Sequence, residues 1–195
     1  MVVETPLKYS AFWAGEERRG HMSKVEEYII SIPDYPKPGI IFRDITSVLR
    51  DADGLRLAVD EMTQCIGDIQ FDAIVGLESR GFLFGMPMAY NLHKAFIPVR
   101  KRGKLPRETA HISYDLEYGS AEIEVHKEDI TPGMRVVVVD DLIATGGTLE
   151  AAIKLLEGLG AKVVKVVCLL ELKGLHGRDR LAGYPTETVI AYEGK

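Results

Sequence analysis

The sequence predicts an α/β fold in which an open, mostly parallel sheet is flanked by helices. Short apolar runs that suit buried strands alternate with stretches of helical apolar spacing through most of the chain, and this alternation is typical of parallel sheets. Four consecutive valines at 136–139 suit a strand that is covered on both faces. We therefore expect a buried parallel sheet with helices on each side.

The first folded element is expected to begin at residue 23. Ser23 and Glu26 form a capping box that opens a predicted helix over 25–32, and three prolines make residues 33–39 a stiff connector. The later elements are predicted as a helix over 55–66, a strand over 72–77, a helix over 82–92, a strand over 95–99, a basic loop over 101–108, a hairpin of 112–118 with 121–126, a strand over 135–139, a helix over 147–158, and strands over 162–170 and 188–192.

Length and composition predict one soluble domain. The 195 residues are 46% apolar and 27% charged, so we expect a disordered extension over 1–22 and a single domain over 23–195. A net charge of −5 argues against binding to nucleic acid or an anionic membrane. Cys65 and Cys168 lie far apart in apolar surroundings, which predicts free thiols and a cytoplasmic location.

The segment 135–149 is the most informative for function. Asp140 and Asp141 follow the valine strand, and the sequence Ala-Thr-Gly-Gly-Thr at 144–148 leads into a helix. Glycine-freed amides and hydroxyls at a helix N-terminus suit a phosphate, and a carboxylate pair suits ribose hydroxyls, so the spacing predicts a ribose 5-phosphate ligand. A response-regulator-like Mg²⁺ site, with the glycines as simple capping, remains an alternative.

Two further segments offer positive charge to an anion. Residues 76–81 place Ser79 and Arg80 between a strand and a helix, where a guanidinium can hold a phosphate at two points. Five of the eight residues 100–107 are basic and follow another strand. A helix cap with a surface arginine and a solvated charged loop are the plainer interpretations.

Several motifs resemble those of a known family. Residues 138–148 resemble the phosphoribosyl pyrophosphate motif of the type I phosphoribosyltransferases. The resemblance narrows to the adenine phosphoribosyltransferase family through three further blocks, which are 33–44, 76–85, and 100–106 leading to 114–119. It extends from about residue 23 to residue 192.

The resemblance implies an activity and a set of partners. It implies a pentosyltransferase of purine salvage that moves the 5-phosphoribosyl group from phosphoribosyl pyrophosphate to N9 of adenine, giving AMP and pyrophosphate. It implies Mg²⁺ held mainly by substrate and water, with no direct protein ligand, and a homodimer. A small hood over the base and a mobile hairpin lid within 101–118 are implied as well.

The resemblance also assigns residues. Phosphoribosyl pyrophosphate is expected to contact Asp140, Asp141, Ala144, Thr145, Gly146, Gly147, Thr148, Ser79, Arg80, Arg100, Lys101 and Lys104. Adenine is expected to contact Ile41, Phe42, Arg43 and Leu172. Glu117 and Arg80 are the expected catalytic residues, and the peptide bond between Glu78 and Ser79 is expected to be cis.

Three other functions compete with this interpretation. A guanine, hypoxanthine or xanthine transferase would share the ribose phosphate motif. A purine-responsive transcription regulator would need a DNA-binding module, for which residues 1–22 are too short. A phospho-accepting or Mg²⁺-binding signalling domain would explain the two aspartates and leave both phosphate loops unused.

Overall fold

A seven-stranded sheet organises the part of the chain that the computed structural model describes, residues 24–115 and 120–194. A separate two-stranded sheet consists of β1 (Ile30–Pro33) and β2 (Ile41–Asp44). The strands of the seven-stranded sheet are β3 (Ala73–Leu77), β4 (Ala95–Lys101), β5 (Thr109–Asp115), β6 (Ser120–His126), β7 (Arg135–Ile143), β8 (Lys162–Leu172) and β9 (Thr186–Tyr192). The α-helices are α1 (Thr46–Leu49), α2 (Ala52–Ile66), α3 (Arg80–Asn91) and α4 (Gly147–Gly158), and short 3₁₀ turns span Lys24–Tyr28, Lys127–Asp129, Lys173–Leu175 and Gly177–Leu181.

The order of the strands confirms the predicted mostly parallel sheet. The seven strands lie in the order β5-β6-β4-β3-β7-β8-β9. Neighbouring strands from β4 to β9 are parallel to one another, whereas β5 and β6 form an antiparallel hairpin at one edge. The carboxyl ends of five parallel strands therefore lie along the same edge of the sheet.

The valine run of β7 lies between two apolar layers. Val136 and Val138 pack with the side chains of α4, and Val137 and Val139 pack with those of α2 and α3. Successive residues of a strand point to opposite faces. All four side chains are fully buried because each face of β7 is covered by one of these layers. Each contributes about 1.5–3 kcal/mol by its removal from water.

The predicted helix over 25–32 is wrong. Only Lys24–Tyr28 is helical, as a 3₁₀ turn, and β1 then pairs antiparallel with β2, with Ile30 opposite Asp44 and Pro33 opposite Ile41. The buried Ser47 hydroxyl accepts a hydrogen bond from Ile30 N at 3.0 Å. This distant pairing outweighs the local helical pattern. The resulting two-stranded unit is the hood that the resemblance implied.

The other elements agree with the prediction in kind and differ at their ends. The helix α2 begins at Ala52, because Asp51 accepts hydrogen bonds from the amides of Asp53 and Gly54. The strands β7 and β8 run to Ile143 and Leu172, beyond the predicted ends. The hairpin strand β5 begins at Thr109 within the described residues, and the hairpin tip at 116–119 lies outside them, as do residues 1–23.

None of the described helices is both long and apolar enough to cross a lipid bilayer.

Candidate active site

The predicted phosphate segments 76–81 and 140–148 lie side by side at the carboxyl edge of the sheet. Residues 78–80 follow β3, and β7 is its neighbour in parallel pairing. Gly81 packs against the end of β7, since a Cβ atom there would lie 2.6 Å from the carbonyl oxygen of Val139. Glycine at this position allows α3 to start against the acidic pair.

The two aspartates at the end of β7 have different surroundings. Asp141 is buried, and its Oδ2 lies 2.7 Å from Nε of Arg80. Asp140 is half-buried and accepts a hydrogen bond from the amide of Asp141 at 2.9 Å. Burial and the neighbouring carboxylate of Asp141 raise the pKa of Asp140 well above its usual value. Arg80 thus contacts Asp141 directly and acts on Asp140 only at longer range.

The glycine-rich loop 144–148 turns back against a second backbone segment. Gly146 has a φ of +78°, and a Cβ atom on it would lie 2.3 Å from the carbonyl oxygen of Gly177. Only glycine suits both the left-handed conformation and this approach. The loop ends in the first turn of α4, where the amides have no partner within the helix. These amides and the hydroxyls of Thr145 and Thr148 are the hydrogen-bond donors that this loop offers.

Glu78 holds the start of the basic loop. Its carboxylate accepts hydrogen bonds from Arg100 Nε at 3.2 Å and Nη2 at 3.4 Å and from the amide of Lys101 at 2.9 Å. Burial acts to raise the pKa of Glu78, but these hydrogen bonds outweigh it and hold that pKa below its usual value. The peptide bond between Glu78 and Ser79 is cis, as the resemblance implied.

Glu124 on β6 holds the other side of the same loop. This buried carboxylate accepts hydrogen bonds from the amides of Lys104 and Leu105 at 2.9 and 3.0 Å and from the Thr109 hydroxyl at 3.1 Å. Burial alone would raise the pKa of Glu124, but the three donors bring it below its usual value. The backbone that carries Lys101 and Lys104 is therefore fixed by two carboxylates.

The hood residues lie beside the ends of β8 and β9. Arg43 places its Cζ atom 3.8 Å from the ring centroid of Tyr192, and Tyr192 is opposite Leu172 in the strand register. Arg43 also donates through Nη1 to the Ser31 hydroxyl. Ile41 at the start of β2 stays 41% exposed. An apolar residue open to solvent next to the sheet edge suits the face of a flat ring.

Comparison with known proteins identifies the family. The phosphoribosyl transferase domain family matches residues 48–191. The sequence is 61% identical, over 89% of this chain and 100% of the relative, to adenine phosphoribosyltransferase of Lachnoclostridium phytofermentans. It is 50% identical to the Synechococcus enzyme of the same name, over 85% of this chain and 96% of the relative. The chain belongs to the adenine phosphoribosyltransferase family.

Solved structures of the adenine phosphoribosyltransferase family share the fold. The enzyme of Thermoanaerobacter pseudethanolicus superposes with a TM-score of 0.84 at 46% identity, covering 88% of this chain and 100% of that one. The Saccharomyces cerevisiae enzyme, complexed with an imino-altritol bisphosphate and adenine, gives 0.79 at 38% identity, over 85% and 96% of the chains. The Trypanosoma brucei enzyme, in complex with AMP, pyrophosphate and ribose-5-phosphate, gives 0.77 at 26% identity, over 90% and 82%.

Most of the sequence-predicted site residues lie on segments that meet at this edge. Arg80 contacts Asp141, and the loop 144–148 begins directly beyond β7. Arg100 is held by Glu78, whereas the nearby Arg107 pairs with Glu128 and Asp129 and turns away from the loop's other cations. Glu117, the predicted catalytic acid, lies outside the described residues.

Four residues of the candidate site were given no role by the sequence analysis. Glu78 and Glu124 bind backbone amides of the basic loop, Tyr192 stacks under Arg43, and the Tyr114 hydroxyl lies 3.2 Å from Thr148 Oγ1. Tyr114 and Glu78 lie within recognised motifs, which placed them near the site but did not predict their hydrogen-bond partners. The contacts of Glu124 and Tyr192 join residues that are far apart in the chain, for which the sequence offered no signal.

Proposed function

We propose that this chain is an adenine phosphoribosyltransferase of purine salvage, which transfers the 5-phosphoribosyl group of phosphoribosyl pyrophosphate to N9 of adenine. One observation carries the proposal. An acidic pair and a glycine-rich helix start adjoin each other at the carboxyl ends of parallel strands, beside a carboxylate-held cationic loop, in a chain 61% identical to an enzyme of that name.

The loop 144–148 is the proposed site of the 5-phosphate. Its amides and the Thr145 and Thr148 hydroxyls donate to phosphate oxygens, and the positive end of α4 favours the negative charge. Asp140 and Asp141 accept from the ribose hydroxyls. Since Asp141 is already paired with Arg80 at 2.7 Å, the same arginine lies next to the sugar and the leaving group.

The pyrophosphate is proposed to lie between Ser79, Arg80 and the loop carrying Arg100, Lys101 and Lys104. Among the described residues no group of three or more acidic, histidine or cysteine side chains could hold a metal ion. We propose that Mg²⁺ arrives on the substrate and keeps several waters. When bound, the ion would neutralise negative charge on the pyrophosphate oxygens.

The adenine ring is proposed to lie between the exposed Ile41 and Leu172. Phe42 meets Tyr35 edge to face at 5.4 Å, and Arg43 is held by Tyr192 and Ser31. The main chain near Arg43 is proposed to read the edge of the base. A main-chain pattern that suits the amino group of adenine leaves the carbonyl of hypoxanthine or guanine unpaired.

The reaction breaks the bond between ribose C1 and the pyrophosphate oxygen and forms one between C1 and N9 with inversion. Bond cleavage runs ahead of attack and leaves oxocarbenium character on the sugar. Glu117 is proposed either to accept the N9 proton or to stabilise the charged sugar. The segment 101–118 is proposed to close over the site and exclude water.

The proposal is tested by incubating the protein with Mg²⁺, phosphoribosyl pyrophosphate and each purine base in turn, with nucleotides separated by chromatography. We expect AMP from adenine, no comparable product from hypoxanthine, guanine or xanthine, and loss of product with EDTA. A matched control carries Asp140→Asn and Asp141→Asn and is expected to form little AMP. Faster formation of another nucleotide, or none at all, would overturn the proposal.

A further inference from the structure

We infer that Tyr114 is a positioning residue for the 5-phosphate, acting through the hydroxyl of Thr148. This inference rests on the proposed function and deepens it. Tyr114 lies on β5, the outermost strand of the sheet, and Thr148 lies in the first turn of α4, 34 residues away in sequence. Their side-chain oxygens are 3.2 Å apart. The edge hairpin and the phosphate loop therefore touch through this pair.

The ring of Tyr114 packs against the apolar layer between the sheet and α4. The residue is half-buried, and this layer contains the side chains of α4. Its neighbours on β5 are paired with β6 from Thr109 to Asp115. The hydroxyl therefore projects from a fixed support, and its position relative to Thr148 is set by strand register and by packing on α4.

The number of hydroxyl protons decides which residue of the pair donates the hydrogen bond when phosphate is bound. A hydroxyl has one proton to donate and two lone pairs to accept with. A phosphate oxygen at neutral pH accepts hydrogen bonds, so Thr148 must donate its single hydroxyl proton to the phosphate. Thr148 can then take part in the second contact only as acceptor, with Tyr114 as donor. With phosphate bound, donation by Tyr114 therefore leaves the Thr148 proton directed toward the phosphate.

The test compares Tyr114→Phe with the wild type and with Tyr184→Phe. Tyr184 is a matched control, since its hydroxyl donates to Glu157 near the opposite end of α4 at 2.8 Å. We expect Tyr114→Phe to raise the KM for phosphoribosyl pyrophosphate about three- to tenfold, the scale of one hydrogen bond. The KM for adenine and the melting temperature are expected to stay near wild type, and Tyr184→Phe is expected to leave both KM values unchanged.

Ribose 5-phosphate binding by calorimetry supplies a readout that does not depend on turnover. Tyr114→Phe is expected to weaken it by a similar factor, and on a Thr148→Val background the same change is expected to add nothing. An unchanged affinity, an additive effect, or an equal rise in both KM values would overturn the inference. If the wild-type protein makes no AMP, the proposed function fails. Normal AMP formation with an unaffected Tyr114→Phe variant contradicts only the role of Tyr114.

Discussion

Arg80 links two parts of the site that the sequence treats as separate motifs. It follows the cis peptide after β3 and bonds to Asp141 at the end of β7 at 2.7 Å. Its own side chain is 48% exposed, so this ion pair is open to solvent on the arginine side. An exposed arginine can keep one carboxylate contact and still offer the rest of its planar fork to a phosphate.

Replacement of Arg80 by alanine is expected to raise the KM for phosphoribosyl pyrophosphate by about tenfold or more, because a charged hydrogen bond is lost. Arg80→Lys keeps the charge and loses the fork, so it should recover only part of the affinity. Initial rates over a range of that substrate measure both. Arg56→Ala on the exposed surface of α2 is the control. An unaffected KM in Arg80→Ala would place the pyrophosphate contact elsewhere.

Replacement of Glu117 by glutamine is expected to lower turnover by about tenfold or more while the affinity for phosphoribosyl pyrophosphate barely changes, because an amide cannot take up the N9 proton. Turnover and substrate affinity are measured separately, the latter by calorimetry. Glu108→Gln, which affects an exposed pair with Lys127, is the control. Wild-type turnover in Glu117→Gln would remove this residue from the mechanism.

Among the elements, the loop between β4 and β5 shows how carboxylates support cations. Glu78 and Glu124 bind its backbone amides from two sides. Both have a pKa below the usual value of 4.5. A carboxylate whose pKa is lowered by folding stabilises the folded state above its unfolded pKa, and this contribution is lost as the pH falls through the lowered value. The loop is therefore expected to loosen only in acid, below about pH 4.5.

Replacement of Glu124 by glutamine is expected to raise the KM for phosphoribosyl pyrophosphate about three- to tenfold, because an amide NH₂ would face the N–H donors of the loop. The KM for adenine should stay unchanged. Steady-state kinetics with each substrate varied separates the two. Glu122→Gln is the matched control on the same strand, since Glu122 makes a largely solvent-exposed pair with Arg102. Equal effects from both variants would refute a special role for Glu124.

The accuracy of the sequence prediction follows the range of the interactions involved. The valines of β7, the helix α4 and the glycine-rich loop were predicted because their signals are local. The helix expected over 25–32 failed because pairing of β1 with β2 decides that segment. Glu124 and Tyr192 were missed for the same reason, since their partners lie far away in the sequence. Motif resemblance supplied the remaining site residues.

At the scale of the whole molecule, one side of α3 carries apolar side chains that the other described residues leave exposed. Phe84 and Met88 are buried in the core, whereas Leu83, Met86 and Tyr90 are 45%, 51% and 83% exposed. Their spacing of three and four residues places them on one side of the helix. We expect this face to be the contact of the homodimer that the family resemblance implies, since exposed apolar patches mark association sites.

Replacement of Met86 and Tyr90 together by glutamate is expected to convert the protein to monomers, because two charges would be buried without partners. Light scattering coupled to gel filtration measures the mass. Ala182→Glu adds a charge to the exposed surface on the α4 side of the sheet and is expected to leave the assembly intact. A wild-type monomer, or a double variant that remains dimeric, would contradict this assignment.

A crystal structure with AMP tests the central arrangement most directly, because it locates phosphate, sugar and base at once. We expect the 5-phosphate within hydrogen-bond distance of the amides of 145–148, the ribose hydroxyls on Asp140 and Asp141, and the base between Ile41 and Leu172. AMP bound at another part of the surface, with the loop 144–148 making no contact to its phosphate, would contradict the account.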